Sequence, residues 1–117
     1  MLKRLPPAFG CPVELTVKVL GGKWKPVILA HLKDSALRYG ELRARIPRLS
    51  DKVLTERLRE LEQSGLVRRR GVAISGAHAV YELTERGNSL RPVLEALYAW
   101  GQKAGSELGV RTDAFTE

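Results

Sequence analysis

Residues 50–70 read SDKVLTERLRELEQSGLVRRR, and their polar members fall at spacings that suit contact with a polyanion. At about 100° per residue, Lys52, Thr55, Glu56, Arg59 and Gln63 share one face of a helix. Side chains of these types can pair with base edges in a DNA groove, and Ser50, Lys52, Thr55, Glu56 and Arg59 are the five positions expected to contact DNA from this helix. Arg68, Arg69 and Arg70 follow closely, and guanidinium groups match phosphate oxygens. Strand alternation puts Arg68 and Arg70 on one face and Arg69 on the other, so the first pair is expected at the phosphates. The bland alternative is a solvated helix face followed by an edge strand kept soluble by charge.

Those side chains need elements to hold them. Ser50 is a good N-cap, and Asp51 suits the positive end of a helix dipole. Leu54, Leu58 and Leu61 lie at i, i+4 and i+7, a single buried stripe, and Gly65 fits the C-terminal stop. Just upstream, YGELRARI carries Leu42 and Ile46 four apart and is ended by Pro47. Downstream the period changes to two. Residues 66–74 and 79–84 are rich in Val, Ile, Tyr and Leu, with Ser75-Gly76-Ala77-His78 between them, which predicts a hairpin. His78 at its tip is either a DNA contact or a solvated turn residue. Short helix, turn, longer helix and hairpin make a helix-turn-helix followed by a wing. Residues 38–70 hold ten Lys/Arg against five Asp/Glu, so +5 of the chain's +7 is concentrated there.

The flanking segments are apolar. Residues 1–11 read as an N-terminal arm, 12–105 as the domain and 106–117 as a tail. Pro12 suits a first helical position, Val13, Val17 and Leu20 follow at helical spacing, and Gly21-Gly22 breaks the helix. That pair is no phosphate loop, since no strand precedes it. WKPVILAHLKD places Trp24, Val27, Ile28 and Leu32 on one face, with His31 a partly buried helix residue. The last segment from Thr84 carries Leu90, Val93, Leu94, Leu97 and Trp100 at helical spacing. The first and last helices hold more apolar side chains than one small core needs. Val17, Leu94, Leu97 and Trp100 are therefore expected at a homodimer interface, and Trp24 and Trp100 as anchors, not base-stacking platforms. The fold class is α+β, mainly α: a winged helix-turn-helix with N- and C-terminal dimerisation helices.

Composition narrows the function. At 117 residues and 44% hydrophobic the chain can bury a core, and 20 Lys+Arg against 13 Asp+Glu favours an anionic partner, nucleic acid before membrane. No apolar run approaches the ~18–20 residues of a membrane span, and no secretory stretch follows the basic start. One cysteine forms no internal disulfide, and zinc spacing is absent. A cytoplasmic, nucleoid-associated protein without metal or cofactor is expected. No nucleophile–base arrangement or carboxylate cluster suggests an enzyme.

CPVELTVKVLGGKW, RYGELRARIPRLSDKVLTERLRELEQSGLVRR and YELTERG together resemble the HxlR family, winged-helix regulators of MarR-like architecture. The resemblance covers roughly residues 11–101. It implies a homodimeric transcription regulator on an inverted-repeat operator, a repressor in preference to an activator, with dimer contacts from the first and last helices. The wing departs from the pattern: AISGAHAV stands where family members often carry a proline-containing loop. Cys11 is either a small packing residue or a sensor. It precedes a helix N-terminus, where the dipole favours a thiolate, and several HxlR-type regulators use a cysteine at the matching position to sense electrophiles or oxidants. The competing readings are a winged-helix module for protein or RNA contacts, and a regulator answering a small molecule without thiol chemistry.

Overall fold

The computed structural model describes residues 5–71 and 79–112. Helix α1, Pro12–Leu20, opens with proline at its first position and closes where Gly21 donates its N–H to Val17 O at 2.9 Å. Gly21 takes φ +41°, a region that favours glycine. Helix α2, Trp24–Leu32, buries Ile28, Leu29 and Leu32 and packs Trp24 and Val27 at the edge of the core.

A two-residue strand β1, Leu37–Arg38, precedes α3, Tyr39–Arg45. The Glu41 carboxylate accepts the Arg38 N–H at 2.7 Å and so fixes the entry to α3. After the Pro47 turn, Ser50 Oγ accepts the Val53 N–H at 3.2 Å and starts α4, Asp51–Gln63. Leu54, Leu58 and Leu61 are all buried, as their spacing predicts. Gly65 then turns the chain at φ +78°, and the Leu66 N–H reaches back to Leu61 O at 3.0 Å.

Strands β2, Val67–Arg70, and β3, Val80–Leu83, pair antiparallel, and β1 adds on the far edge of β3, giving the order β1-β3-β2. The register sets Val67 against Leu83, Arg68 against Glu82, Arg69 against Tyr81 and Arg70 against Val80. Leu37 lies across from Tyr81 on the other side. Thr84 locks the return: its hydroxyl donates to Gly65 O at 2.6 Å and accepts the Gly87 N–H at 3.0 Å. A Cβ on Gly87 would stand 2.1 Å from Leu66 O, so only glycine fits there.

The final helical pattern is divided. Helix α5, Glu85–Asn88, ends in a turn, and α6, Arg91–Leu108, starts afresh with Pro92 in its first turn, where a missing N–H costs little. Arg91 donates to Lys33 O and lies 3.6 Å from Asp34, which ties the start of α6 to the end of α2. Helix α6 continues to Leu108, three residues past the expected domain end at 105. The core lies between α2, α3, α4, the inner sheet face and the first turns of α6. The result is a mainly helical winged helix-turn-helix.

Candidate nucleic-acid interface

Around its buried stripe, α4 presents three further sides. Lys52, Glu56, Arg59 and Gln63 point away from the core at helical spacing, and Lys52 and Arg59 are exposed. Glu56 is half-buried, with its carboxylate 3.7 Å from Arg57 Nη2. On one flank, Arg57 Nη1 donates to Glu60 Oε1 at 2.6 Å and Lys25 of α2 pairs with the same oxygen at 3.3 Å. The Arg57 hydrogen bond, helped by Lys25, holds the Glu60 carboxyl below the usual carboxylate range.

The opposite flank is stitched to α3. The Tyr39 hydroxyl donates to Asp51 Oδ1 at 2.8 Å, Arg43 Nε donates to the same oxygen at 2.8 Å, and Thr55 Oγ1 lies 3.4 Å from the Tyr39 hydroxyl. The tyrosine hydrogen bond, then the arginine, lowers the Asp51 pKa. Asp51 therefore fixes the angle between the two helices of the motif as well as facing the α4 dipole. Ser50 serves as the cap, its oxygen engaged with the Val53 N–H. Of the five positions expected to read bases, Lys52, Thr55 and Arg59 are exposed together, Glu56 is partly drawn to Arg57, and Ser50 holds the helix start.

The wing departs from expectation in one respect. Alternation holds, but Arg68 Nε and Arg70 Nε both donate to Glu82 Oε2, at 2.7 and 3.0 Å. The bond from Arg70, then that from Arg68, keeps the Glu82 carboxyl below its ordinary range. The two guanidiniums expected at phosphates are thus engaged within the sheet, although 63% and 57% of their side-chain surface stays open. Arg69 lies on the other face and lines a groove of about 550 Å³ with Arg38, Tyr39 and Tyr81. His78 lies outside the described residues.

Of the side chains expected at a dimer interface, Val17, Leu97 and Trp100 are 64%, 50% and 74% exposed. Leu94 is a correction: only 2% exposed, it belongs to the subunit's own core, because the first turns of α6 lie against α2. Cys11 is exposed at the N-cap of α1, with no cap hydrogen bond from its side chain. Among the described residues no acidic, histidine or cysteine group is placed to hold a metal, and no helix is long and apolar enough to cross a membrane.

Sequence reasoning missed Tyr39, Arg43 and Glu82. The first two sit at the first and fifth positions of a seven-residue helix, a segment too short for periodicity to assign faces. Glu82 was within reach: aligning the hairpin through Val67 and Leu83 places it opposite Arg68.

The model for HxlR-like helix-turn-helix proteins matches residues 19–108. An HTH-type transcriptional regulator of Methanothermobacter thermautotrophicus is 46% identical over 96 residues, 82% of this chain and 73% of that protein. The redox regulator HypR in its reduced form superposes with a TM-score of 0.78 at 36% identity, covering 85% of this chain and 98% of HypR. Quinone-bound YodB from Bacillus subtilis gives a TM-score of 0.65 at 36% identity, over 80% and 99% of the two chains. With a winged helix-turn-helix, a charged outward face on α4 and a match spanning most of its length, this chain belongs to the HxlR-like helix-turn-helix family of transcriptional regulators.

Proposed function

We propose that this chain is a homodimeric repressor that reads an inverted-repeat operator with α4 and grips the flanking backbone with its wing. The observation that carries this reading is the pairing of two unlike exposed surfaces. Lys52, Thr55 and Arg59 line the outer side of α4, while Val13 and Val17 of α1 and Leu97, Trp100 and Leu108 of α6 stand exposed without cover in the subunit. The polar surface suits a major groove, and the apolar one suits a second copy. Two-fold pairing through α1 and α6 would present two α4 helices to half-sites about one helical turn apart, or ~10 bp.

A second reading concerns control. Cys11 is exposed and begins α1, one of the helices assigned to the dimer, so an adduct there acts on the angle between the two DNA-reading units. The relatives HypR, a redox regulator, and YodB, solved with quinone bound, favour thiol chemistry in this role. A thiolate adds across the conjugated double bond of a quinone to give a thioether-linked hydroquinone. With one cysteine per chain, any disulfide joins two subunits or takes in a small thiol.

Both readings are tested by selecting genomic fragments on the purified protein, before and after treatment with benzoquinone. Untreated protein is expected to retain a small set of fragments sharing an inverted repeat, and treated protein to release them. Retention of RNA but no duplex DNA would overturn the first reading. A Cys11→Ser variant that loses the fragments on treatment just as the wild type does would overturn the second.

A further inference from the structure

The wing carries three consecutive arginines, and their surroundings separate them. Residues directly opposite one another in a sheet share a face. Arg68 faces Glu82, whose single oxygen takes the Nε hydrogens of both Arg68 and Arg70. Arg69 faces Tyr81, and through Tyr81 the row continues to buried Leu37, so this arginine sits on the side of the sheet that turns toward α3. There it lines the groove of about 550 Å³ with Arg38, Tyr39 and Tyr81.

Net charge does not distinguish the Glu82 cluster from the groove. Arg68, Arg70 and Glu82 make +1 at the cluster, and Arg38, Arg69 and Glu41 make +1 around the groove, which Arg38 reaches from the sheet edge, opposite Val80. Donor availability does. The Glu41 carboxylate is turned to the Arg38 backbone N–H at 2.7 Å, and neither the Arg38 nor the Arg69 guanidinium is held in an ion pair among the described residues. Among the described residues no carboxylate occupies their donors, whereas a phosphate at Arg68 or Arg70 must compete with Glu82 already in place.

Position agrees with availability. Tyr39 walls the groove, and its hydroxyl reaches Asp51 and Thr55 on the flank of α4. The groove therefore lies about one tyrosine length from the helix that faces the bases. A duplex seated on Lys52 and Arg59 has its backbone at the side of α4, since the major groove is only about 12 Å wide.

Resting on the proposed DNA-binding function, we propose that Arg69, with Arg38 across the tyrosine-walled groove, is the phosphate contact of the wing, and that Arg68 and Arg70 form a structural pair on Glu82. The test is a salt titration of binding to a genomic fragment retained by the wild type and to an unrelated duplex of equal length. Arg69→Ala is expected to weaken both by roughly tenfold and to lower the slope of log Kobs against log salt by about one, with Arg38→Ala behaving alike. Arg69→Lys keeps the slope, because the charge remains, while losing part of the affinity with the fork. Arg68→Ala and Arg70→Ala should move affinity less than about twofold. A full slope with Arg69→Ala, or a slope lost with Arg68→Ala or Arg70→Ala, overturns the assignment. Wild-type protein that binds no duplex in a salt-dependent way overturns the DNA-binding function itself, a separate result from any ranking of the arginines.

Discussion

Helices α4 and α6 are both amphipathic, yet what they expose differs in kind. Around Leu54, Leu58 and Leu61, α4 exposes Lys52, Thr55 and Arg59. Around Leu94, α6 exposes Leu97, Tyr98, Trp100 and Leu108, the last two at 74% and 75%. A polar outer face needs no partner to be stable in water, but it can meet an anionic one. An apolar outer face leaves large hydrophobic area in water until something covers it. Burial alone says which residues make the subunit; only the chemistry of the remainder separates the two helices.

Substitutions at a buried position of one helix and an exposed position of the other should act on different properties. Leu58→Ala removes a side chain that is 1% exposed and is expected to lower unfolding free energy by about 2–5 kcal/mol, read by urea denaturation. Trp100→Asp, at a position 74% exposed, should leave subunit packing intact and shift sedimentation at micromolar concentration from dimer to monomer. If Trp100→Asp stays dimeric, α6 does not pair across the two-fold axis, and the half-site spacing proposed above falls with it.

The outer face of α4 gives the next effect. Arg59→Ala or Lys52→Ala should cost about 1–3 kcal/mol on the selected fragment, with preference lost at one base position. An unchanged base preference would mean that α4 is rotated relative to the groove. Glu56 should matter less, since Arg57 competes for it at 3.7 Å.

Part of this difference was written in the chain, and part was not. The α4 stripe and its Ser50 cap were legible because helical periodicity is a local property of thirteen residues. Val17, Leu97 and Trp100 were legible as surplus apolar residues, but Leu94 was not separable from them. All three α6 positions share the pattern, and only the contact with α2 decides which is covered. Strand β1 has two residues and no period to show. The break between α5 and α6 follows from Thr84 and Gly87 closing on Gly65 and Leu66, a contact across about twenty residues of sequence. The arginine pair on Glu82 depends on hairpin register in the same way.

At the wing, Glu82 holds back part of the positive charge. Glu82→Gln removes a negative charge and releases two guanidiniums from its Oε2. Binding to unrelated duplex should rise severalfold at low salt, with a steeper salt dependence, in a filter-binding titration. No gain would show that Arg68 and Arg70 point away from the duplex even when freed.

The smallest effect separates α2 from α4 and the wing by pH. His31 of α2 is half-buried, and desolvation, followed by the charges of Arg45 and Lys33, lowers its pKa. The folded state thus favours neutral imidazole and binds fewer protons than the unfolded chain below about pH 6.5. The stability that this group contributes is full above that pH and falls as pH drops through 6.5 towards the folded pKa. Asp51, Glu60 and Glu82 have lowered carboxyl pKa values, so their contribution is present above about pH 4 and is lost only below it. All three are solvent-accessible, and screening keeps each contribution small. Two acid steps are therefore expected, the upper from the α2 side of the core and the lower from the ties that hold α4 and the wing. Melting temperature should fall between pH 7.5 and 5.5, the direction set by the lowered His31 pKa. His31→Gln should abolish that upper step and keep the lower one. A His31→Gln protein that still loses stability between pH 7.5 and 5.5 would place the titrating group elsewhere.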